Sequence, residues 1–226
     1  MARALLILAA LVVGCAAQGG PFNFTCNTDK FTQCLSTFTT NLSLTTPTPY
    51  KNSRVFRAEI ENYYAKGSTN GFLTLCRAFR QFKECLNFDY PECMSVSHLV
   101  LSGLSTVQQA YDFVSVFNQQ HFACGAGLGV YLQNENCLAG TWQDHRQHFN
   151  TCYERYFAQI DAGGNGAPCV AGREFSECFE YEFGHSCSTT RADVMWWGCE
   201  YGRTFSATQY PQCTYKCTTM NVGGGI

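Results

Sequence analysis

The sequence predicts a mainly α-helical, disulfide-rich protein built from two divergent tandem modules packed together. Three observations carry that expectation. Fifteen cysteines occur in 226 residues. Apolar residues recur at three- and four-residue spacing, and one pattern of cysteines and aromatics runs through the chain twice.

The chain opens MARALLILAALVVGCAAQ. Arg3 precedes the apolar run Ala4 to Val13, which falls short of the ~18 residues of a membrane span and suits a cleavable leader. Small residues place the cut after Ala17, so residues 1–17 form the expected signal peptide. Val12-Val13-Gly14-Cys15 also fits a bacterial lipoprotein box, the less favoured reading because small-residue leader ends match it easily. No other segment has the length and apolarity of a span, and NVGGGI at the end lacks the tail of a lipid-anchor signal. A secreted, extracellular protein with no stable membrane anchor is expected. Two N-x-S/T sequons, at Asn23 and Asn41, are the expected glycosylation sites.

Loss of Cys15 with the leader leaves 14 cysteines, an even number that an exported chain should hold as seven disulfides. Zinc is the competing reading, but no C-x2-C spacing occurs. The 15 Lys+Arg and 17 Asp+Glu give a formal net charge of −2, which becomes −3 without Arg3. No basic patch stands out, so nucleic acid is not an expected partner. Eighteen Phe, 12 Tyr and 3 Trp are enough to fill a core, to which the disulfides would add.

The repeat is legible residue by residue. CRAFRQFKECLNFDYPECM at 76–94 aligns with CVAGREFSECFEYEFGHSCS at 169–188. Ala78 matches Ala171, Arg80 matches Arg173, Phe82 matches Phe175 and Glu84 matches Glu177. Phe117 and Phe205 continue the match downstream. The first module, residues 18–128, thus holds Cys26, Cys34, Cys76, Cys85, Cys93 and Cys124. The second, residues 129–226, holds Cys137, Cys152, Cys169, Cys178, Cys187 and Cys213. Six cysteines permit fifteen pairings, and the sequence does not choose among them. Cys199, which falls at the position of Tyr111, and Cys217 have no counterparts. If each module closes its own three bridges, these two pair with each other as an extra disulfide.

The helices follow in order. Copy one carries a long insertion between Cys34 and Cys76 in which NSRVFRAEIENYYAKG reads as an added helix. Val55, Phe56, Ile60, Tyr63 and Tyr64 form its stripe, and Gly67 stands at its C-cap position. In copy two the turn DAGGNGAP replaces it. LSTVQQAYDFVSVF gives a second helix on Val107, Tyr111, Val114 and Phe117. TWQDHRQHFNTCYERYFAQI gives a third on Trp142, Phe149, Cys152, Tyr156 and Ile160, with Thr141 as its expected N-cap. Strands are scarce, with HLVLSG the one candidate for a short extended stretch. On a helix Cys76 and Cys85 face opposite sides at ~100° per residue, as do Cys169 and Cys178, so neither pair bonds internally and each helix is stapled to two different neighbours. Arg80–Glu84 and Arg173–Glu177 read as i,i+4 surface pairs.

FKECLNFDY and FSECFEYEF, with their paired C-x8-C-x7/8-C spacing, resemble secreted cysteine-rich helical domains of unknown function in invertebrates, including a large nematode family. The resemblance implies an extracellular helical disulfide fold and transfers no catalytic residue.

Chemistry is hard to find. Among the five histidines, His145 and His148 stand at i,i+3 with Asp144 or Glu154 nearby. That is not the H-E-x-x-H arrangement of a zinc protease, and an exposed polar helix face explains it. No G-x-S-x-G elbow occurs, and Gly125 to Gly129 reads as the linker between modules. Met195-Trp196-Trp197 is an apolar cluster read as core. No catalytic residue, cofactor or metal is expected. The expected function is a non-catalytic extracellular binding or matrix role toward a protein, glycan or apolar ligand. The alternatives are a carrier of a small apolar ligand and a toxin-like or defence effector.

Overall fold

The computed structural model describes residues 25–164, 167–187 and 192–218. The expected leader, Asn23 and the last eight residues lie outside the described residues. Helices follow one another as α1 (Thr28–Asn41), α2 (Ser53–Tyr64), α3 (Leu73–Leu86), α4 (Tyr90–Cys93), α5 (Val96–Leu101), α6 (Val107–Ala123), α7 (Leu128–Gln133), α8 (Glu135–Asp144), α9 (Arg146–Ala162), α10 (Ala167–Ser186) and α11 (Ala192–Gln209). No strand occurs among the described residues.

Local chemistry explains several boundaries. Asn27 accepts from the Lys30 N–H at 3.0 Å and starts α1. Thr106 and Gln109 form a reciprocal capping box at the start of α6. HLVLSG is helical rather than extended: Ser95 caps α5 by accepting from the His98 N–H at 3.1 Å, and only Leu99 of this run is fully buried. Thr141 is not an N-cap. It lies inside α8 and donates its hydroxyl to the Cys137 carbonyl at 2.9 Å, the i−4 bond by which a mid-helix threonine satisfies itself. The long helix expected there breaks at His145 into α8 and α9.

The disulfides repeat one connectivity. Copy one pairs Cys26–Cys93, Cys34–Cys85 and Cys76–Cys124. Copy two pairs Cys137–Cys187, Cys152–Cys178 and Cys169–Cys213. Counted within each module this is first to fifth, second to fourth and third to sixth. As the helical geometry requires, α3 is tied by Cys85 to α1 and by Cys76 to the end of α6, and α10 is tied in the same way to α9 and to the segment after α11. Cys199 and Cys217 close the seventh bridge at a Cα separation of 5.7 Å. This bridge pins residues 214–218, which form no helix, onto α11. Replacing both cysteines with Ala should lower stability by ~3 kcal/mol, the entropy estimate for a loop of this size, and should speed tryptic cleavage at Lys216. An unchanged cleavage rate would show that the bridge does not hold the tail.

The two copies share one continuous aromatic core. α6 packs directly on its counterpart α11, with the Ser115 hydroxyl donating to the Phe205 carbonyl at 3.0 Å. The copy-one insertion welds the halves. Tyr64 of α2 stacks on Trp142 of copy two (centroids 5.1 Å, 18°) and meets Tyr201 edge-on at 5.6 Å. The stripe on α2 is not the expected one. Phe56, Ile60 and Tyr64 are buried, but Val55 is exposed, and Arg57 and Glu61 are buried instead. The reason is that α2 is pressed between copies and must bury polar groups that reach across: the Arg57 guanidinium lies 3.6 Å over the Tyr153 ring and donates to Asn150 Oδ1 at 3.1 Å.

Where the copies differ, the helix spacing differs. In copy two α10 and α11 pack through glycines. A Cβ on Gly198 would stand 2.7 Å from the Phe179 carbonyl oxygen, and one on Gly202 would stand 3.0 Å from the Ser176 Cα. The equivalent residues of copy one are Ala110 and Val114. Gly172 and Ser176 of α10 likewise correspond to Phe79 and Lys83 of α3. These larger side chains hold α3 and α6 apart, so that they meet through rings such as Phe82–Phe117 at 5.1 Å rather than backbone to backbone.

Candidate functional site

The separation of α3 from α6 leaves an open groove of about 840 Å³ beside the Cys76–Cys124 bridge. Leu73, Phe79 and Leu128 supply apolar walls, and Arg77, Arg80 and Lys83 line one side on successive turns of α3. Arg80 stands 3.6 Å from Glu84 in a solvent-exposed pair. Neither Arg77 nor Lys83 has a carboxylate partner among the described residues. Lys83 instead lies 5.6 Å from the Phe79 ring centre and 5.4 Å from that of Tyr90. His121 of α6 completes the wall, its imidazole held below the usual range by partial burial and by Lys83 beside it. An adjoining hollow of about 540 Å³ shares His121 and Gly125 and is walled by Phe122 and Trp196. The fixed cations and the apolar walls together suit a ligand that has an anionic group on an apolar body.

The matching face of copy two is closed. Between Cys169, Gly172, Arg173 and Cys213 only about 10 Å³ remains, and Tyr215 of the pinned tail stands at its edge. The two halves therefore share a disulfide frame, and among the described residues the space beside the third-to-sixth bridge is ligand-sized in copy one and nearly filled in copy two.

The other sequence candidates fall as follows. Arg80–Glu84 and Arg173–Glu177 (3.8 Å) are exposed helix-surface pairs, and the former borders the groove. Met195-Trp196-Trp197 divides: Trp197 is fully buried and donates its Nε1–H to the Gly127 carbonyl at 3.1 Å, while Trp196 lines the adjoining hollow. That bond also makes the glycine-rich junction a packed segment. A side chain on Gly127 would meet Trp197 Nε1 at 2.7 Å. Asn41 is exposed at the end of α1. All fourteen expected cysteines are paired.

His145 and His148 are not simply an exposed polar face. Both point Nδ1 at the same oxygen of Glu182 on α10, at 2.6 and 3.0 Å, and neither Asp144 nor Glu154 joins them. His145 keeps 20% of its side chain exposed and Glu182 10%, against 62% for His148. None of the grooves described above is lined by these three residues. Glu182 was out of reach of sequence reasoning because it lies 34 residues from His148 and nothing local marks it.

Fold and site together define a class: a mainly helical, disulfide-stapled chain in which one disulfide frame occurs twice, with the groove beside it open in one place and closed in the other. Comparison with protein-family models, curated proteins and solved structures gives no match.

Proposed function

We propose that the chain is a secreted, non-catalytic extracellular binding protein that carries a ligand with an apolar body and an anionic head, such as a long-chain fatty acid, in the groove between α3 and α6. The groove carries the reading: about 840 Å³ is within the range of small-ligand sites, and Arg77 and Lys83 are two cations at its wall without carboxylate partners among the described residues. The seven disulfides and the leader-like N-terminus support an extracellular setting. Among the described residues no helix is long and apolar enough to cross a membrane. A glycan on exposed Asn41 belongs to the same reading.

The test is binding of a fluorescent long-chain fatty acid against the matching neutral alcohol. The acid should bind about tenfold or more tighter, since each charge-assisted contact contributes roughly 1.5–3 kcal/mol. Arg77→Glu with Lys83→Glu should abolish that preference at a small cost in melting temperature, because Arg77 is exposed and Lys83, half-buried, gives up only its approach to the Phe79 and Tyr90 rings. If neither ligand binds, or if the charge-reversed protein still prefers the acid, the carrier reading is wrong.

A further inference from the structure

The geometry points to a divalent transition-metal site, occupied by Zn2+, at His145, His148 and Glu182. The difference between the two copies at this place points to it, independently of the groove. Aligned on Cys34 and Cys152, the start of α1 matches the start of α9, so that Asn27 stands where His145 is and Lys30 where His148 is. Aligned on Cys85 and Cys178, Asp89 stands where Glu182 is. In copy one Lys30 Nζ binds Asp89 Oδ2 at 2.7 Å, an ion pair that ties the first turn of α1 to the segment between α3 and α4.

Copy two keeps the tie and changes its chemistry. The lysine, which is only ever a donor, is replaced by an imidazole, and the neighbouring cap residue by a second one. A single histidine would have been enough to hold the carboxylate. Two of them aim Nδ1 at one oxygen of a buried glutamate, and one ligand atom from each of the three residues lies within 4.8 Å of the others. Imidazole and carboxylate oxygen are ligands that zinc accepts at ~2.0–2.2 Å, and three protein ligands plus water make a four-coordinate site. Around such an ion, ligand atoms stand ~3.3 Å apart by tetrahedral geometry. The 2.6 and 3.0 Å contacts open by about 0.7 and 0.3 Å, and the three ligand atoms, all within 4.8 Å of one another, draw in to that spacing, as the ion takes the place of the two hydrogen-bonding protons. His145 occupies the break between α8 and α9, where its backbone is not helical (φ −103°, ψ 16°). The ion would therefore lock that break against α10, in the half of the molecule whose groove is closed.

The copies supply the control. His145→Asn, His148→Lys and Glu182→Asp together install the copy-one residues, which keep the helix tie and remove the ligand set. The disulfide-intact protein is titrated with Zn2+ in a competition assay, with Co2+ as the visible-absorption reporter and Ca2+ and Mg2+ as hard-cation controls. One Zn2+ per chain is expected, with a rise in melting temperature on Zn2+ addition and no response to the hard cations. His145→Ala alone should weaken Zn2+ binding by about tenfold or more. The triple variant should fold, melt close to the metal-free parent and show no Zn2+ shift. If the parent does not bind Zn2+ at about 100 µM, well above the range of protein zinc sites, or if the triple variant binds it as tightly as the parent, the site does not exist.

Discussion

Arg57→Ala is expected to destabilise the protein by about 3–5 kcal/mol, the cost of leaving one member of a buried ion pair without its partner. Arg57 and Glu61 lie one helical turn apart on α2, and both are buried where that helix crosses into copy two. Glu61 Oε1 also accepts from the Tyr153 hydroxyl at 3.0 Å, and Gln119 Nε2 donates to that hydroxyl at 2.9 Å. Burial is the largest influence on Glu61 and pushes its carboxyl up, while Arg57 pulls it back down. Removing Arg57 leaves the upward push unopposed by the guanidinium. A carboxyl whose folded-state pKa lies above its unfolded value binds its proton more tightly when folded. The stability it contributes is present below the ordinary carboxylate range and is lost as pH rises through the folded-state value. The deficit of Arg57→Ala relative to the parent should therefore be smaller near pH 4 than near pH 7. Denaturant melts at the two values check both size and sign. A deficit under ~1 kcal/mol with no pH dependence would mean that water reaches the pair. Arg57→Met with Glu61→Leu, which removes both charges, should recover most of the loss.

Installing the copy-one residues Ala and Val at Gly198 and Gly202 is expected to cost about 2–4 kcal/mol. Overpacking typically costs ~1–3 kcal/mol per site, and relief from glycine in a helix returns less than ~1 kcal/mol at each. Overpacking wins because backbone stands in the way at both sites: the Phe179 carbonyl oxygen beside the Phe183 ring for Gly198, and the Ser176 Cα and Phe175 carbonyl oxygen for Gly202. Backbone atoms cannot rotate away, so α10 and α11 must separate. The variant should open on copy two the groove that copy one already has. Urea melts measure the cost, and increased uptake of an apolar dye reports the opening. A change under ~1 kcal/mol would refute the close-packing explanation for the closed face.

Much of the fold was legible because cysteines and helical period are local signals. The nine-residue spacing of Cys76 and Cys85 excluded a bond between them, and each is stapled to a different neighbour. The unmatched Cys199 and Cys217 pair as exclusion required. Helix ends were read less well. Thr141 resembled a cap because threonine satisfies its hydroxyl equally at an N-cap or on an i−4 carbonyl, and HLVLSG resembled a strand because its β-branched residue outweighed the short cap at Ser95. Periodicity puts Val55 on the buried face of α2 because it assumes that apolar residues face inward, whereas this helix lies between the two halves and turns Arg57 and Glu61 inward.

The sequence by itself determined that one pattern of cysteines and aromatics recurs, that its helices carry the cysteines on opposed faces, and that two cysteines stand outside the pattern. These properties depend only on spacing. The tertiary structure alone decided which of the fifteen pairings each module uses, because that depends on which helix ends meet. It alone decided that one groove is open and the other closed, because a glycine or a phenylalanine shows its effect only against the helix opposite. It alone brought Glu182 to two histidines, because a ligand set assembled across two helices has no spacing to be read along the chain.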